Sequence, residues 1–206
     1  MAYVLIVGAG NMGKRYEKMI KSLGYPVILS DVGDQNFESK VIDSSYVLVA
    51  TPTDTHLEVI DSIVKLRREI PILCEKPINK IGKSQRILEY QEHDVNLQMV
   101  DQYAFLPKYD GPGAGFTIYE SEKSGDDGLE WDCINIIGKA NERKKIKLKV
   151  QEGLEWTCRL NGYKVDLKDM PEAYMRMVYE WLRDPKPNYE YMLEAHRRVR
   201  SYICDH

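Results

Sequence analysis

Three glycines early in the chain, Gly8, Gly10 and Gly13, have the spacing Gly-x-Gly-x-x-Gly, and an aspartate, Asp31, follows 18 residues after the last of them. Glycines so spaced suit a backbone that turns tightly, approaches a pyrophosphate and then packs a helix against a strand. A carboxylate about 20 residues further on accepts hydrogen bonds from an adenosine ribose. The chemistry these residues suit is therefore the holding of a dinucleotide. Gly10, Asn11, Met12 and Gly13 would offer backbone N–H groups at a helix start, where an anion is favoured. Asp31 would bond the ribose hydroxyls and repel the extra phosphate of NADP, so NAD is expected and NADP is the less favoured cofactor. Asp31 also has a plainer reading, as an acidic loop residue after an ordinary strand.

Two more groups stand where chemistry could occur. Lys76 lies in Cys74-Glu75-Lys76-Pro77, and His56 closes Thr51-Pro52-Thr53-Asp54-Thr55-His56. Each segment follows a short apolar run that reads as a strand, and open α/β sheets bind ligands at the carboxyl ends of their strands. Lys76 reads equally as a ligand-facing ammonium or as a surface lysine on a loop. His56 reads first as an imidazole at a helix start, bonded to a neighbouring carbonyl.

The elements that must position these residues follow from periodicity. Tyr3–Val7 is too short and too β-branched for a helix and reads as a buried strand, whereas residues 11–23 repeat apolar side chains at Met12, Tyr16, Met19, Ile20 and Leu23 with helical spacing. Gly24 ends that helix, and Pro26–Ser30 is the second strand. Val32–Ser44 is short and polar where a full nucleotide-binding fold fits another helix and strand, so it is expected to be trimmed to a loop or a single turn. Within the apolar run Tyr46–Ala50, Val47–Ala50 reads as a central strand, unbroken as in a sheet covered on both faces. A helix with Leu57, Ile60, Val64 and Leu66 on its apolar face follows, capped by Asp54 or Thr55. Pro71–Cys74 is the next strand, residues 82–92 a helix with Ile87, Leu88 and Tyr90, and residues 95–105 a further strand. The alternation predicts a doubly wound, Rossmann-like parallel sheet.

The second half reads differently. Pro107–Gly115 is a glycine- and proline-rich connector, which places a domain boundary after residue 106. Phe116–Glu120 and Trp131–Ile137 read as strands around Gly125-Asp-Asp-Gly128, a solvated turn in preference to a metal loop because no third ligand follows. Lys144–Val150 alternates lysines with apolar residues, as an edge strand does. Trp156–Leu160 and Tyr163–Leu167 flank Asn161-Gly162, a strong hairpin signal. A helix opened by Pro171 buries Tyr174, Met177, Val178, Trp181 and Leu182. After Asp184-Pro-Lys-Pro187, Asn188 caps a last helix with Tyr191, Met192, Ala195, Val199 and Ile203 on one stripe. His196 and the nearby arginines lie on or beside its exposed side. The fold expected is α/β: a parallel sheet domain over residues 1–106, then a small α+β domain with a mostly antiparallel sheet over residues 107–206.

Composition bounds the partners. Lys and Arg number 29 against 32 Asp and Glu in 206 residues, a formal charge of −3. No positive field argues for nucleic acid or an anionic membrane. The four cysteines, Cys74, Cys133, Cys158 and Cys204, are single and widely spaced, unlike a zinc site or a disulfide framework. Reduced thiols, a cytoplasmic location and no metal are expected. The apolar N-terminus breaks into glycines and has no basic leader, and no segment approaches the length of a membrane span.

Taken in order, Gly8-Ala-Gly10-Asn-Met-Gly13, Ala50-Thr-Pro-Thr-Asp-Thr-His56 and Cys74-Glu-Lys-Pro77 resemble the glucose-fructose oxidoreductase, inositol dehydrogenase and MocA (Gfo/Idh/MocA) family of NAD(P)-dependent dehydrogenases. The second segment is similar to its ATP-x-x-x-H loop and the third to its E-K-P signature. The resemblance covers roughly residues 1–107, and more loosely Gly128-Leu-Glu-Trp-Asp132 and the final helices. It implies that Lys76 reaches nicotinamide ribose and substrate, and that Thr51, Pro52, Thr53 and His56 pass under the cofactor with Glu75 beside it. It also implies a sheet wall for a small-molecule substrate, doubling as a homodimer interface. Two departures stand out. In the G-x-x-x-D-x-x-x-H segment Asp132 aligns, but Ile136 replaces the histidine; the adjacent Asn135 cannot titrate near neutral pH. An arginine common after the sixth strand is missing near Ala104. Tyr103 could place a phenol in the cleft or pack beneath the sheet. The implied function is hydride transfer with a small hydroxylated or carbonyl substrate, sugar derivatives included. The alternatives are a non-catalytic dinucleotide-binding or dimerising relative, and a reductase of a larger conjugated carbonyl compound such as the biliverdin reductases.

Overall fold

The computed structural model describes residues 3–31, 33–76, 78, 84–105, 146–150, 156–160, 163–165 and 170–193. The chain divides into two compact units, Met1–Val100 with Met175–Leu193, and Asp101–Tyr174 with Glu194–His206.

The first unit is built on five parallel strands: β1 (Val4–Val7), β2 (Val27–Ser30), β3 (Tyr46–Val49), β4 (Ile72–Cys74) and β5 (Leu97–Met99). Their spatial order is β2-β1-β3-β4-β5, so the direction in which the chain builds the sheet reverses between β1 and β3. The interior strands read as unbroken apolar runs because they are buried on both faces: Val4, Leu5, Ile6, Val47, Leu48, Ile72 and Leu73 expose nothing. Val27, Ile28 and Leu29 of β2 are only half-buried, as fits an edge strand.

Helix α1 (Asn11–Ser22) packs on β1 and β2 and buries Gly13, Tyr16 and Ile20. Between β2 and β3 the expected loop or single turn is instead a two-turn helix, α2 (Phe37–Asp43). Its polar residues face outward, and one buried side chain, Val41, anchors it. Nη1 of Arg67 donates to the carbonyls of Ile42 (3.1 Å) and Ser44 (2.5 Å), placing a cation where the helix leaves carbonyls unpaired. The sheet is nonetheless the smaller one expected, for the chain passes from α2 directly into β3.

Helix α3 (His56–Leu66) buries His56, Val59, Ile60 and Ile63. The expected face, Leu57, Ile60, Val64 and Leu66, is therefore rotated, with Ile60 alone common to both. A 3-10 turn at Thr53–Thr55 feeds the helix, and Thr55 at its N-cap makes no side-chain cap bond; its hydroxyl donates to Pro52 O instead, at 2.8 Å. Helix α4 (Ser84–Glu92) buries Ile87 and Tyr90, while Leu88 stays 37% exposed. Strand β5 is far shorter than the run 95–105: Val100 N–H extends the ladder to Cys74 O, and a 3-10 turn at Gln102–Phe105 follows.

Helix α5 (Met170–Arg183) brings the chain back, and from Met175 onward it belongs to the first unit. Met177, Val178, Trp181 and Leu182 are buried as the periodicity requires, with Ala173 added; Trp181 meets Tyr46 edge to face, ring centroids 5.3 Å apart. Asn188 stands just before the last helix, and its carbonyl accepts from Met192 N–H at 3.0 Å, as a cap position requires. Its amide takes the place of a neighbouring strand on β5, accepting from Met99 N–H (2.8 Å) and donating to Met99 O (2.9 Å). Tyr189 adds a hydroxyl bond to Val95 O at 2.5 Å.

In the second unit the described strands are β6 (Ile146–Val150), β7 (Trp156–Leu160) and β8 (Tyr163–Val165). The connector Pro107–Gly115, the strands at Phe116–Glu120 and Trp131–Ile137, the Gly125–Gly128 loop, the Asn161-Gly162 turn, His196 and the distal stripe of the last helix lie outside the described residues.

Candidate functional site

Strand pairing aligns the candidate residues. Val7 is in register with Ser30 and with Val49, Val49 with Cys74, and Cys74 with Met99. The next residue of each strand, Asp31, Gly8, Ala50, Glu75 and Val100 in spatial order, therefore falls in one row along the carboxyl edge. Backbone bonds Gly8 N–H to Ser30 O, Ala50 N–H to Val7 O and Glu75 N–H to Val49 O, each 2.8 Å, hold that row. Three strand spacings separate Asp31 from Glu75, about 14 Å, a span suited to an extended ligand. The reversal between β1 and β3 puts a crevice at the middle of the row.

The three glycines differ in what requires them. Gly8 has φ +108°, and a Cβ there would lie 2.6 Å from Ala50 O. A Cβ on Gly13 would lie 1.8 Å from Gly8 O, so the helix sits on the turn as closely as backbone allows. Gly10 is neither strained nor crowded: its φ is −71°, and a Cβ would meet nothing within 4 Å. Its lack of a side chain leaves open space at the helix start. No side chain caps α1, and its first turn holds no acid, so Asn11, Met12 and Gly13 begin a helix whose N–H groups and dipole favour an anion.

Asp31 is exposed at the end of β2. Its carbonyl accepts from Asp34 N–H at 3.2 Å. Asp34, which the sequence did not single out, organises this loop: its carboxylate accepts from Asn36 N–H (2.9 Å), from the Ser30 hydroxyl (3.1 Å) and from Lys40. The Lys40 bond first, then Asn36 N–H, lowers its pKa to about 2. One acid of the loop is thus neutralised within it.

Thr51 is buried at the start of the next loop, and its Oγ1 has no hydrogen-bond partner among the described residues. A buried hydroxyl so placed beside the glycine turn is suited to a ligand's polar atom. Pro52 is exposed and Thr53 half-buried. His56 takes the arrangement read first for it: 1% exposed, its Nε2 lies 2.8 Å from Thr51 O. A carbonyl only accepts, so Nε2 carries the proton, and the ring ties the end of the loop to its beginning.

Glu75 turns inward. Its Oε1 accepts from the Tyr16 hydroxyl at 2.5 Å and its Oε2 from Lys76 N–H at 3.0 Å. Lys76 is half-buried at the next position. Cys74 is buried beneath, its thiol pKa raised by burial and then by Glu75, as fits a packing residue and not a nucleophile. Tyr16 was legible only as an apolar-face residue; a hydroxyl on a buried face was the signal for its polar role. The Tyr103 side chain, Asp132 and Ile136 lie outside the described residues, although the Tyr103 backbone forms part of the 3-10 turn. Among the described residues no three His, Cys, Asp or Glu groups gather as a metal site, and no helix is long and apolar enough to cross a membrane.

No family model matches this sequence, and no curated protein does. Solved structures do match its fold over nearly the full length. The WlbA (WbpB) dehydrogenase of Thermus thermophilus, solved with NAD and UDP-GlcNAcA, is 14% identical, with 96% of this chain and 93% of that chain covered at a TM-score of 0.63. A Gfo/Idh/MocA family oxidoreductase of Vibrio cholerae is 11% identical, with 99% and 100% covered at 0.55. The UDP-N-acetylglucosamine 3-dehydrogenase GnnA of Acidithiobacillus ferrooxidans is 12% identical, with 98% of each chain covered at 0.54. At these identities the likeness is one of fold.

Proposed function

We propose that this chain is an NAD-dependent oxidoreductase of the Gfo/Idh/MocA type, acting on a small hydroxylated or carbonyl substrate that is sugar-derived. The observation that carries the reading is Gly10. Neither its backbone angles nor its neighbours require glycine, while the other two glycines are required by the fold, so the open space above it is left for a ligand. The uncapped start of α1 and the unpartnered Thr51 hydroxyl beside it support a pyrophosphate and its attached sugars there. Asp31 would bond the adenosine ribose and favour NAD over NADP. Thr51, Pro52 and Thr53 would line the cofactor, with His56 holding their loop closed.

A bound nicotinamide would accept or give the hydride. Lys76, one residue beyond the row, would orient the substrate oxygen and stabilise charge developing on it, with Asp132 and Tyr103 as the other candidates around the substrate. In this division residues 1–106 hold the cofactor, and residues 107–206, apart from the Met175–Leu193 segment that joins the first unit, supply the substrate wall and a homodimer interface. Its mostly antiparallel sheet is supported by the pairing of β6 with β7, Ile146 opposite Leu160, and of β7 with β8, Leu160 opposite Tyr163. The likeness to dehydrogenases solved with NAD and nucleotide sugars supports the cofactor and the substrate class.

Ile136, where the resemblance to the Gfo/Idh/MocA family implies a histidine, favours a second reading: a relative that binds the dinucleotide and performs no chemistry. NADH formation, followed over a panel of nucleotide sugars, free sugars, polyols and hydroxy acids, separates the two. Turnover of any member supports the enzyme; NAD binding without turnover of any supports the second reading.

A further inference from the structure

We infer that Tyr16 and Glu75 are positioning residues that link occupancy of the glycine turn to the backbone presenting Lys76, an inference that rests on the dinucleotide reading above. Tyr16 lies three residues beyond Gly13 on α1 and exposes nothing. Its hydroxyl donates to Glu75 Oε1 at 2.5 Å, across 59 positions of sequence. The other oxygen of the same carboxylate accepts Lys76 N–H at 3.0 Å. One side chain, 9% exposed, is therefore held at one end by the helix that starts at the anion site and at the other by the residue carrying the ammonium.

The arrangement is more than packing requires. A tyrosine on the buried face of α1 could be phenylalanine at little cost, and a buried carboxylate is expensive unless its oxygens are bonded. Glu75 N–H completes the sheet row through Val49 O, but the Lys76 N–H lies beyond that row, and the carboxylate takes it up where a strand would otherwise have done so. A ligand that draws the start of α1 toward itself pulls on Tyr16, and through Glu75 on the Lys76 backbone.

ADP is the discriminating probe, for it carries the ribose and pyrophosphate that the turn would hold but no nicotinamide to touch Lys76. Hydrogen exchange of the Lys76 amide is measured with and without ADP, in the wild type and in Tyr16→Phe. Saturating ADP is expected to slow that amide about fivefold or more in the wild type. In Tyr16→Phe, ADP should still bind and still protect residues 8–14, yet leave Lys76 exchange unchanged. Glu75→Leu, which removes both acceptor oxygens and leaves nothing that could bond either Tyr16 or Lys76 N–H, should behave likewise and serves if Tyr16→Phe folds poorly. Equal slowing of Lys76 in wild type and variants overturns the link alone. Failure of ADP to bind the wild type overturns the dinucleotide reading, and the link with it.

Discussion

Gly10 and Gly13 stand three residues apart in one turn and are glycines for different reasons, one facing open space and the other pressed against Gly8 O. Substitutions should separate them. Gly13→Ala sets a Cβ against a backbone oxygen that cannot rotate away, and should cost about 3 kcal/mol in denaturant unfolding; an unchanged midpoint would contradict the close packing of α1. Asp31 and Asp34 divide along similar lines. Asp31→Ala should raise the affinity for NADP relative to NAD in parallel titrations, and an unchanged ratio would remove its assignment to the ribose. Asp34 is held at about 2, below its ordinary 3.8, chiefly by Lys40. A carboxyl depressed by folding stabilises the fold above its unfolded value, and that contribution is lost as the pH falls toward 2. Asp34→Asn should accordingly flatten the acid limb of the stability curve below about pH 4. An acid limb of wild-type steepness in the variant would mean that the Lys40 bond contributes nothing in solution.

Among the elements, those that could be read carried their own period. The run of β1, the strand at β3 and the helical repeat of α1 are local patterns, and the glycine turn between β1 and α1 has a spacing set by backbone geometry alone. What could not be read depended on distant partners. Asn188 before a helical stripe reads locally as a cap and no more, because nothing local reveals that Met99 of an edge strand also takes its donor and its acceptor. The buried face of α3 was misplaced for the same reason: Val59, Ile63, Leu57 and Val64 are all apolar, and only the sheet beneath selects among them. Helix α2 was missed because one buried residue, Val41, gives no period to detect. For the site, the row of Gly8, Asp31 and Glu75 was legible as strand ends, whereas the inward turn of Glu75 toward Tyr16 was not. Asn188→Ala removes both bonds to Met99 and should lower stability by about 1 to 3 kcal/mol in urea unfolding. No loss would mean that water replaces the amide at the β5 edge.

For the whole molecule, the proposed chemistry converges on Lys76 and on assembly. Once a substrate is found, Lys76→Met should reduce kcat about a hundredfold, since it removes the ammonium opposite developing charge while keeping the length of the side chain. Full activity in that variant would transfer the role elsewhere. A homodimer formed by the second domain should appear in sedimentation velocity as a species of twice the chain mass, and a monomer at every concentration would remove the proposed interface. The most direct measurement is calorimetric titration of NAD into the wild type and Gly10→Val, with a thermal melt of each. The valine has room within the protein and loses only about 1 kcal/mol as a poorer helix start. It should therefore fold and melt close to the wild type, while NAD binding, present in the wild type, weakens at least a hundredfold. NAD bound equally by both proteins, or by neither, would contradict the assignment of the space above Gly10 to the dinucleotide.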